Sequence, residues 1–467
     1  MAYTAFITRI KNLRQHPNAD RLQMGECFGN TVIVSMDYTN NQLGIYFPSD
    51  GQVSVEFATA NNLLRKKDEN GNNIGGYMDP DKRNVTAIKL RGEKSDGLFL
   101  PLNSLATFGD ITILKEGDRI DNFNGHEICC KYIPRRNHRQ GGVSEGNRTR
   151  KKKVDVAPLF VEHADTEQLA YNLAAFNPGD EIEITLKMHG TSQRTACLPV
   201  FKGYKRTIWD KICRKEGTPI YDWGYISGTR RTVLENYDGG YYGSNEFREQ
   251  HSKFFEGKLW KGEEVFYEVV GFTHTGAPIM ATADNKKLND KEFIKQYGKE
   301  TVFSYGCYAN SRKVEPVIDE KWGHGISVED APQSDIYVYR MTMTNEDGDM
   351  VEYTPDFMRY RCEQMGVKTV PVMWKGEIPE IENDEALPIE MWTTPGSYIK
   401  DVAEKFYDGP DPIGKTHVRE GVVVRILNRP KFCAYKHKNW SFKALEGIVK
   451  VEAEAPDMEE AEDVADA

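Results

Sequence analysis

The sequence predicts an α+β architecture: a small all-β barrel in residues 1–130, then a larger mixed α/β region from about Val154 to about Val451. Three observations carry this reading. Short runs of strand composition alternate with Asn- and Asp-rich turns as far as about Ile133. A dense run of basic residues containing glycine then breaks the pattern. Beyond it, strand-like alternation is mixed with segments of helical spacing.

Taken in order, Thr31–Met36 and Gln42–Phe47 have strand composition, and 68–76 is a polar, glycine-rich loop. Residues 131–153 carry nine bases against the single acid Glu145, with Gly141, Gly142 and Gly146 among them. Such a stretch reads as a flexible basic linker, either a solvated hinge or a strap that contacts phosphates. In residues 154–451, helices are expected at Thr166–Phe176 and Pro355–Met365. Strands are expected at Glu181–Leu186, Glu264–Val270, Ile336–Met343 and Gly421–Leu427. Residues 452–467 hold eight acids and no base, and form an acidic tail with little to pack. No internal repeat is present.

Composition narrows the function classes. At ~150 residues per domain, 467 residues suggest two or three domains. With 39% apolar and 28% charged residues the chain has an ordinary globular composition. Its formal charge of −10 argues against nucleic acid only when read alone, since without the tail the remainder carries just −2. There is no run of ~18 apolar residues to span a membrane, and no basic flank with an apolar run at the N-terminus to direct secretion. None of the eight cysteines forms a Cys-x-x-Cys pair. They are expected to be reduced thiols of an intracellular, cytoplasmic protein.

The chemistry centres on Glu181-Ile-Glu-Ile-Thr-Leu-Lys187-Met-His189-Gly190-Thr-Ser192. Ile182, Ile184 and Leu186 share one strand face, which sends Glu181, Glu183, Thr185 and Lys187 to the other. Gly190 permits a tight turn or a close approach to a ligand. A lysine at a strand end can then be aimed at a phosphate or act as an amine nucleophile, although Lys-x-x-Gly alone is a weak motif. Five blocks follow it: Ser227-Gly-Thr-Arg230-Arg231, Phe266-Tyr-Glu268-Val-Val-Gly271, Tyr337-Val-Tyr339-Arg340, Glu420-Gly-Val-Val-Val-Arg425 and Tyr435-Lys436-His-Lys438-Asn439.

Together the six blocks resemble the nucleotidyltransferase motifs of covalent ligases and capping enzymes, from about Glu181 to Lys443. Lys-Met-His-Gly-Thr-Ser is similar to the Lys-x-His-Gly-Thr-Asn motif of the phage RNA ligase 2 family, and Lys436-His-Lys438-Asn439 to its Lys-x-Lys-Asn. Ser192 departs from that Asn, which leaves the ribose contact there open. In the N-terminal part, His16-Pro-Asn-Ala-Asp-Arg-Leu22 and Leu90-Arg-Gly-Glu-Lys-Ser-Asp-Gly-Leu-Phe-Leu-Pro101 look like the signature of tRNA-binding OB folds. An OB domain ahead of the ligase core resembles the Deinococcus-type RNA ligase 5 family. The fold implied is an OB barrel followed by an ATP-grasp-like adenylyltransferase domain of antiparallel sheets with helices.

The resemblance implies an ATP-dependent RNA ligase with magnesium or manganese, acting on broken or nicked RNA with 5′-phosphate and 3′-hydroxyl ends and on no membrane. It implies Lys187 as nucleophile, Glu268 on the adenosine ribose, and Tyr337 or Tyr339 on adenine, with Tyr339 preferred. His189 would act after adenylylation, and Arg230 or Arg231 would hold the 5′-phosphate. Gly190 and Ser192 belong to the nucleotide site. Physical reasoning runs beside this. A free lysine has a pKa of ~10.4, so attack at neutral pH requires that value to fall. Lys436 and Lys438 are positive neighbours that could lower it, and on a strand both point to one face, where they can neutralise an α-phosphate. Glu420, at the head of a β-branched run, suits a water-mediated metal contact.

Phe201–Lys215 interleaves six bases with Phe201, Tyr204 and Trp209, a pattern equally suited to nucleic-acid contacts and to an amphipathic packing segment. The competing functions are a DNA or mixed-strand nick ligase, a capping enzyme, and a tRNA-binding adaptor without ligase activity. The oligomeric state is not legible.

Overall fold

The computed structural model describes residues 3–49, 51–67, 73–132, 155–163, 166–213, 217–230, 232–234, 237, 245–271, 273, 279–280, 334–381, 394–409, 411–413, 419–445 and 449–450. These fall into two compact units. One holds 3–132 together with 440–445 and 449–450, and the other holds the described residues from 155 to 439. Most of the basic run, all of the acidic tail, part of the 68–76 loop and Arg231 lie outside the described residues.

In the first unit Leu98–Pro101, Leu43–Phe47, Ala5–Arg9 and Arg119–Ile120 form a four-stranded antiparallel sheet in that order. Lys11–Gln15, Leu22–Cys27 and Asn30–Ser35 form another. The four-stranded sheet buries Ile7, Ile45 and Phe47 in one core with Val53, Phe57 and Leu105 from the neighbouring segments. These sheets give the unit the β-rich make-up expected of the small barrel. Among the described residues the strands make several separate small sheets and no closed ring. Left-handed residues at Arg91 and Asn124 turn two of the short hairpins, and Asn12 sits where the pairing of Lys11–Gln15 slips register.

The two N-terminal motifs are locked into this unit. His16 is buried and contacts the Leu90 carbonyl at 3.1 Å through Nε2, while its Nδ1 accepts from the Asn18 amide at 3.0 Å. Asp96 bonds Ser49 and meets Lys443 Nζ at 2.8 Å. Burial raises the Asp96 carboxyl, but Lys443 and the hydrogen bonds hold it below the usual carboxylate range. Val449–Lys450 adds a parallel strand to Ala87–Leu90.

The second unit contains two larger sheets. One orders Thr218–Gly228, Thr191–Lys205, Glu263–Val270, Asp335–Thr344 and Met350–Glu352 antiparallel, with Lys368–Thr369 added parallel to Asp335–Thr344. The other orders Glu167–Gln168, Cys433–Lys438, Gly421–Ile426, Glu181–Lys187 and Val372–Glu377, antiparallel except for the Glu167–Gln168 pairing. Residues 188–190 carry the chain from one sheet to the other. Ile182, Ile184, Val422 and Val424 pack on Ile399, Val402 and Ala403 of helix Pro395–Glu404. Val265, Tyr267, Val269 and Val338 pack with Phe247 and Phe255 on one side of the sequence and Met358, Cys362 and Met365 on the other.

Helix Pro355–Met365 forms where the spacing predicts it. Thr354 caps its first turn, Pro355 starts it, and Gly366 at φ 72° ends it. Thr166–Phe176, expected to be helical, is instead a short strand at Glu167–Gln168 followed by two 3₁₀ turns, Leu169–Tyr171 and Leu173–Ala175. The Asn172 side chain donates to the Gln168 carbonyl at 2.7 Å, an alternative that breaks a continuous helix. Among the described residues no helix is long and apolar enough to cross a membrane, and the seven described cysteines are free.

Candidate active site

Three neighbouring strands build the centre of the site. Lys187 closes strand Glu181–Lys187 and lies opposite Gly421, which in turn lies opposite Lys438. The residue before Gly421 is Glu420, fully buried, with its carbonyl accepting from the Asn439 amide at 2.8 Å. Its carboxylate gathers three groups. Lys187 Nζ lies 2.6 Å and Lys438 Nζ 3.2 Å from Oε1, while His189 Nδ1 lies 3.4 Å from Oε2. His189 Nε2 faces the Met280 carbonyl at 3.1 Å. The lysines are therefore held within reach of one another by a single buried anion.

Two glycines permit this closeness. A Cβ on Gly190 would stand 2.3 Å from the Val269 carbonyl oxygen and 2.6 Å from Val270 Cγ1, because here one sheet's connection passes over the other sheet's strand. Gly421 has φ 152°, and its Cβ would meet the His437 carbonyl oxygen at 2.1 Å. Side chains larger than hydrogen are excluded at both positions.

Lys187 opens into a partly enclosed cleft. Its wall on the first sheet includes Ser192, Arg230, Glu268 and Tyr339, and its floor on the second includes Val423, Arg425 and Lys436. Ser192 and Glu268 are direct cross-strand partners. Tyr339 occupies a bulge. Phe266 pairs with Arg340 and Tyr267 with Val338, so the pairing skips it. Its hydroxyl lies 3.0 Å from Ser192 Oγ, and its ring stands 6.1 Å from that of His163. Burial, with the Glu268 charge adding to it, pushes the Tyr339 hydroxyl up to about 12 despite the Ser192 bond. Tyr337 lies instead in a buried cluster with Leu186, Met188 and Val370.

Lys436 and Lys438 alternate along strand Cys433–Lys438, Lys436 lining the cleft and Lys438 reaching Glu420. His437 between them stacks on Tyr407 with ring centroids 4.9 Å apart, and meets Glu404 at 3.5 Å. The structure thus brings together Lys187, His189, Glu420 and Lys438 at the base, and Ser192, Arg230, Glu268, Tyr339 and Lys436 around the cleft, with Gly190 in the turn between the sheets. Arg231 is outside the described residues.

Sequence reasoning missed part of the lining. Arg359 and Arg425 both face the cleft. Arg359 grips Glu183 bidentately, Nη1–Oε1 at 3.2 Å and Nη2–Oε2 at 2.7 Å, and also bonds Asp356 at 2.8 Å. Arg425 donates to the Tyr353 carbonyl at 3.0 Å and lies 3.7 Å from Glu352. Its spacing from Val423 on an alternating strand was the available signal. For Arg359 it was the i, i+3 pairing with Asp356. Arg248 was also missed. It is fully buried, donates to the Ser192 carbonyl at 3.0 Å, and bonds Thr191, fixing the strand that follows the turn.

The arrangement offers a primary amine at the base of a cationic cleft, an aromatic wall and one buried carboxylate behind the amine. Among the described residues no group of three His, Cys, Asp or Glu side chains forms a closed metal cage. Glu420, already 2.6 and 3.2 Å from two ammonium groups, would reach a magnesium-type ion through water, the ion completing its shell with further waters and substrate phosphates.

No family model matches the sequence, and no curated protein sequence does. Solved structures do match the fold. Naegleria gruberi RNA ligase with PPi aligns with a TM-score of 0.52 at 16% identity, covering 94% of this chain and 97% of that one. A lysine-to-alanine mutant of that ligase with ATP and Mn aligns at 0.52 and 16%, covering 96% and 99%. A lysine-to-methionine mutant with AMP and Mn aligns at 0.53 and 15%, covering 94% and 97%. At such identities the likeness is one of fold.

Proposed function

We propose that this chain is an ATP-dependent RNA ligase that joins 3′-hydroxyl and 5′-phosphate ends through a lysyl-AMP intermediate. The observation that carries the reading is the placement of Lys187 beside Lys438 and Glu420, at the base of a cleft lined by Glu268, Tyr339, Arg230 and Lys436. The likeness in fold to an RNA ligase solved with ATP and Mn, with AMP and with PPi supports it along nearly the whole chain.

In this reading adenine lies against the Tyr339 ring and the ribose against Glu268, so the α-phosphorus faces Lys187. Lys187 Nζ attacks that phosphorus, the bond to the bridging oxygen breaks, pyrophosphate leaves, and the amine gives up its proton. An ammonium cannot attack, and its partner carboxylate at 2.6 Å favours the charged form. Lys438, on the same oxygen, opposes that effect. A magnesium or manganese ion, held by Glu420 and substrate phosphates, would supply charge neutralisation at the phosphates. Lys436, on the cleft floor, stabilises the negative charge gathering on the α-phosphate oxygens.

The RNA 5′-phosphate then displaces Lys187 from AMP, giving an RNA-adenylate. Arg230 and Arg231 are the candidates to hold that phosphate. The 3′-hydroxyl next attacks the 5′-phosphate and AMP leaves. The first unit takes the role of an RNA-binding module of OB type, a reading supported by its mostly β make-up and by the motifs around His16 and Leu90. The motifs around Lys187 and Lys436 support a ligase core similar to the RNA ligase 2 type, and the N-terminal unit ahead of it supports a layout similar to the RNA ligase 5 type.

The test is direct. Incubation with α-labelled ATP and magnesium should leave label on the protein in a denaturing gel, and Lys187→Ala should abolish it. Nicks with ribose or deoxyribose at the 3′ end then report the sugar preference, with preferred sealing of deoxyribose pointing to a DNA nick ligase. Absence of covalent label from any nucleotide overturns the ligase reading and favours a tRNA-binding adaptor.

A further inference from the structure

Strands Thr191–Lys205 and Thr218–Gly228 form a hairpin that outruns the sheet it belongs to. Their pairing extends from Arg194–Gly228 to Lys205–Thr218, whereas Glu263–Val270 accompanies the first strand only through Thr191–Ala196. Beyond Ala196 the hairpin is a two-stranded arm, braced near its middle by the Phe201 amide on the Val156 carbonyl at 2.8 Å and by the Tyr221 hydroxyl on the Asp155 carbonyl at 3.0 Å. Phe201 packs edge-on against Tyr204 and Tyr221, with centroids 5.1 and 6.0 Å apart.

The end of the arm shows its aromatic and apolar groups to solvent. Trp209 is 74% and Ile208 76% exposed on the short helix Ile208–Ile212. That turn is not frayed. Thr207 and Asp210 form a reciprocal capping box, with the Asp210 carboxylate 2.9 Å from the Thr207 amide and 2.7 Å from its hydroxyl, and the Asp210 amide 3.2 Å from Thr207 Oγ1. Lys202, Lys205 and Arg206 lie exposed on the approach to it, and Lys202 sits at the bulge between Phe201 and Gly203.

An ordered, solvent-facing indole flanked by exposed cations matches one partner chemistry: a chain of phosphates that also carries flat, stackable faces. We propose that this arm is a second RNA-contact surface, in which Trp209 stacks on an unpaired base of the substrate strand and Lys202, Lys205 and Arg206 contact its phosphates. Acidic peptides would satisfy the cations without using the indole, and an apolar protein partner would use Trp209 and Ile208 without the cations. The combination favours nucleic acid. The inference rests on the RNA ligase reading for the identity of the strand, and the arm supplies grip away from the reacting lysine.

The experiment compares the full chain with Trp209→Ala and with the triple variant Lys202→Gln, Lys205→Gln, Arg206→Gln. Binding of a fluorescein-labelled single-stranded RNA is measured by anisotropy across a salt series, and ATP-dependent self-labelling is measured in parallel. Trp209→Ala is expected to weaken RNA binding roughly 10-fold, the scale of one stacked base. The triple variant is expected to lower the slope of log affinity against log salt by about 2, at ~0.7 per phosphate contact on a single strand. Both should self-label at the parental rate, because neither touches the cleft. Unchanged affinity and unchanged salt slope in both variants overturn the proposal, as does weakened binding by Trp209→Ala to a labelled acidic peptide but not to RNA. Failure of the parent chain to self-label counts against the ligase reading alone, since the anisotropy arm does not depend on catalysis.

Discussion

Lys187 and Glu420 form an ion pair of 2.6 Å whose acidic partner is fully buried. Lys438 approaches the same oxygen at 3.2 Å, so the carboxylate serves two cations at once. A carboxylate this close favours the charged form of the amine. Activation then requires Glu420 to be drawn toward another cation, or Lys438 to outweigh it.

Glu420→Gln should separate these contributions. Without the carboxylate the two ammonium groups face each other uncompensated, and Lys187 loses its proton more readily. The pH profile of self-labelling should move to lower pH, while the maximal rate falls by roughly 100-fold through lost charge stabilisation. A profile that stays in place would show that Glu420 does not govern the amine.

Gly190→Ala should unfold or distort the turn between the sheets. The added methyl meets a backbone carbonyl at 2.3 Å, which no side-chain rotation relieves. A loss of about 1–3 kcal/mol in denaturant unfolding is expected, together with loss of self-labelling. Full activity at parental stability would refute the close approach.

Tyr339→Phe removes only the bond to Ser192 Oγ and should cost about 1 kcal/mol of nucleotide affinity or stability. Tyr339→Ala removes the ring itself and should raise the KM for ATP at least about 10-fold, if stacking is worth about 1.5 kcal/mol. Equal effects from the two variants would place the hydroxyl, not the ring, at the centre of recognition.

His251 gives the fold an acid-side weakness. It is buried on helix Glu246–Phe254 and contacts Ser334 Oγ at 2.8 Å through Nε2. Burial draws its imidazole down to about 4, with Arg248 adding to this and Asp335 opposing it. A folded-state value below the unfolded one means that the stabilisation is complete above the ordinary imidazole value of 6.5 and is lost as pH falls toward 4. His251→Gln should flatten the stability profile in that window. Parallel profiles for the two proteins would remove His251 from the account.

The strands of the site were legible because alternation and β-branching marked them. Ile182 and Ile184 face one core with Val422 and Val424, and the ends of those strands fall side by side at Lys187 and Gly421. Alternation put Glu183 on the face opposite Ile182 and Ile184 but gave no sign of its burial, which comes from Arg359 arriving from a helix far along the chain. The long hairpin was not read as strand, since Pro199 and Gly203 dilute its pattern while pairing across the hairpin overrides them. The 3₁₀ turns of 169–175 were lost to a single local competitor, the Asn172 side chain. The Tyr339 bulge had no signal in composition, because it depends on the register between two strands distant in sequence.

The short strand Val449–Lys450, paired with Ala87–Leu90, has a consequence for the order of events during synthesis. The first unit begins at the N-terminal end of the chain yet lacks one of its strands, and the Lys443 partner of its buried Asp96, until residues 440–450 have emerged. Every described residue of the second unit leaves the ribosome before those do. The unit that precedes the second one in the chain is therefore completed after it, and until then Asp96 has its Ser49 bond but not its counter-ion.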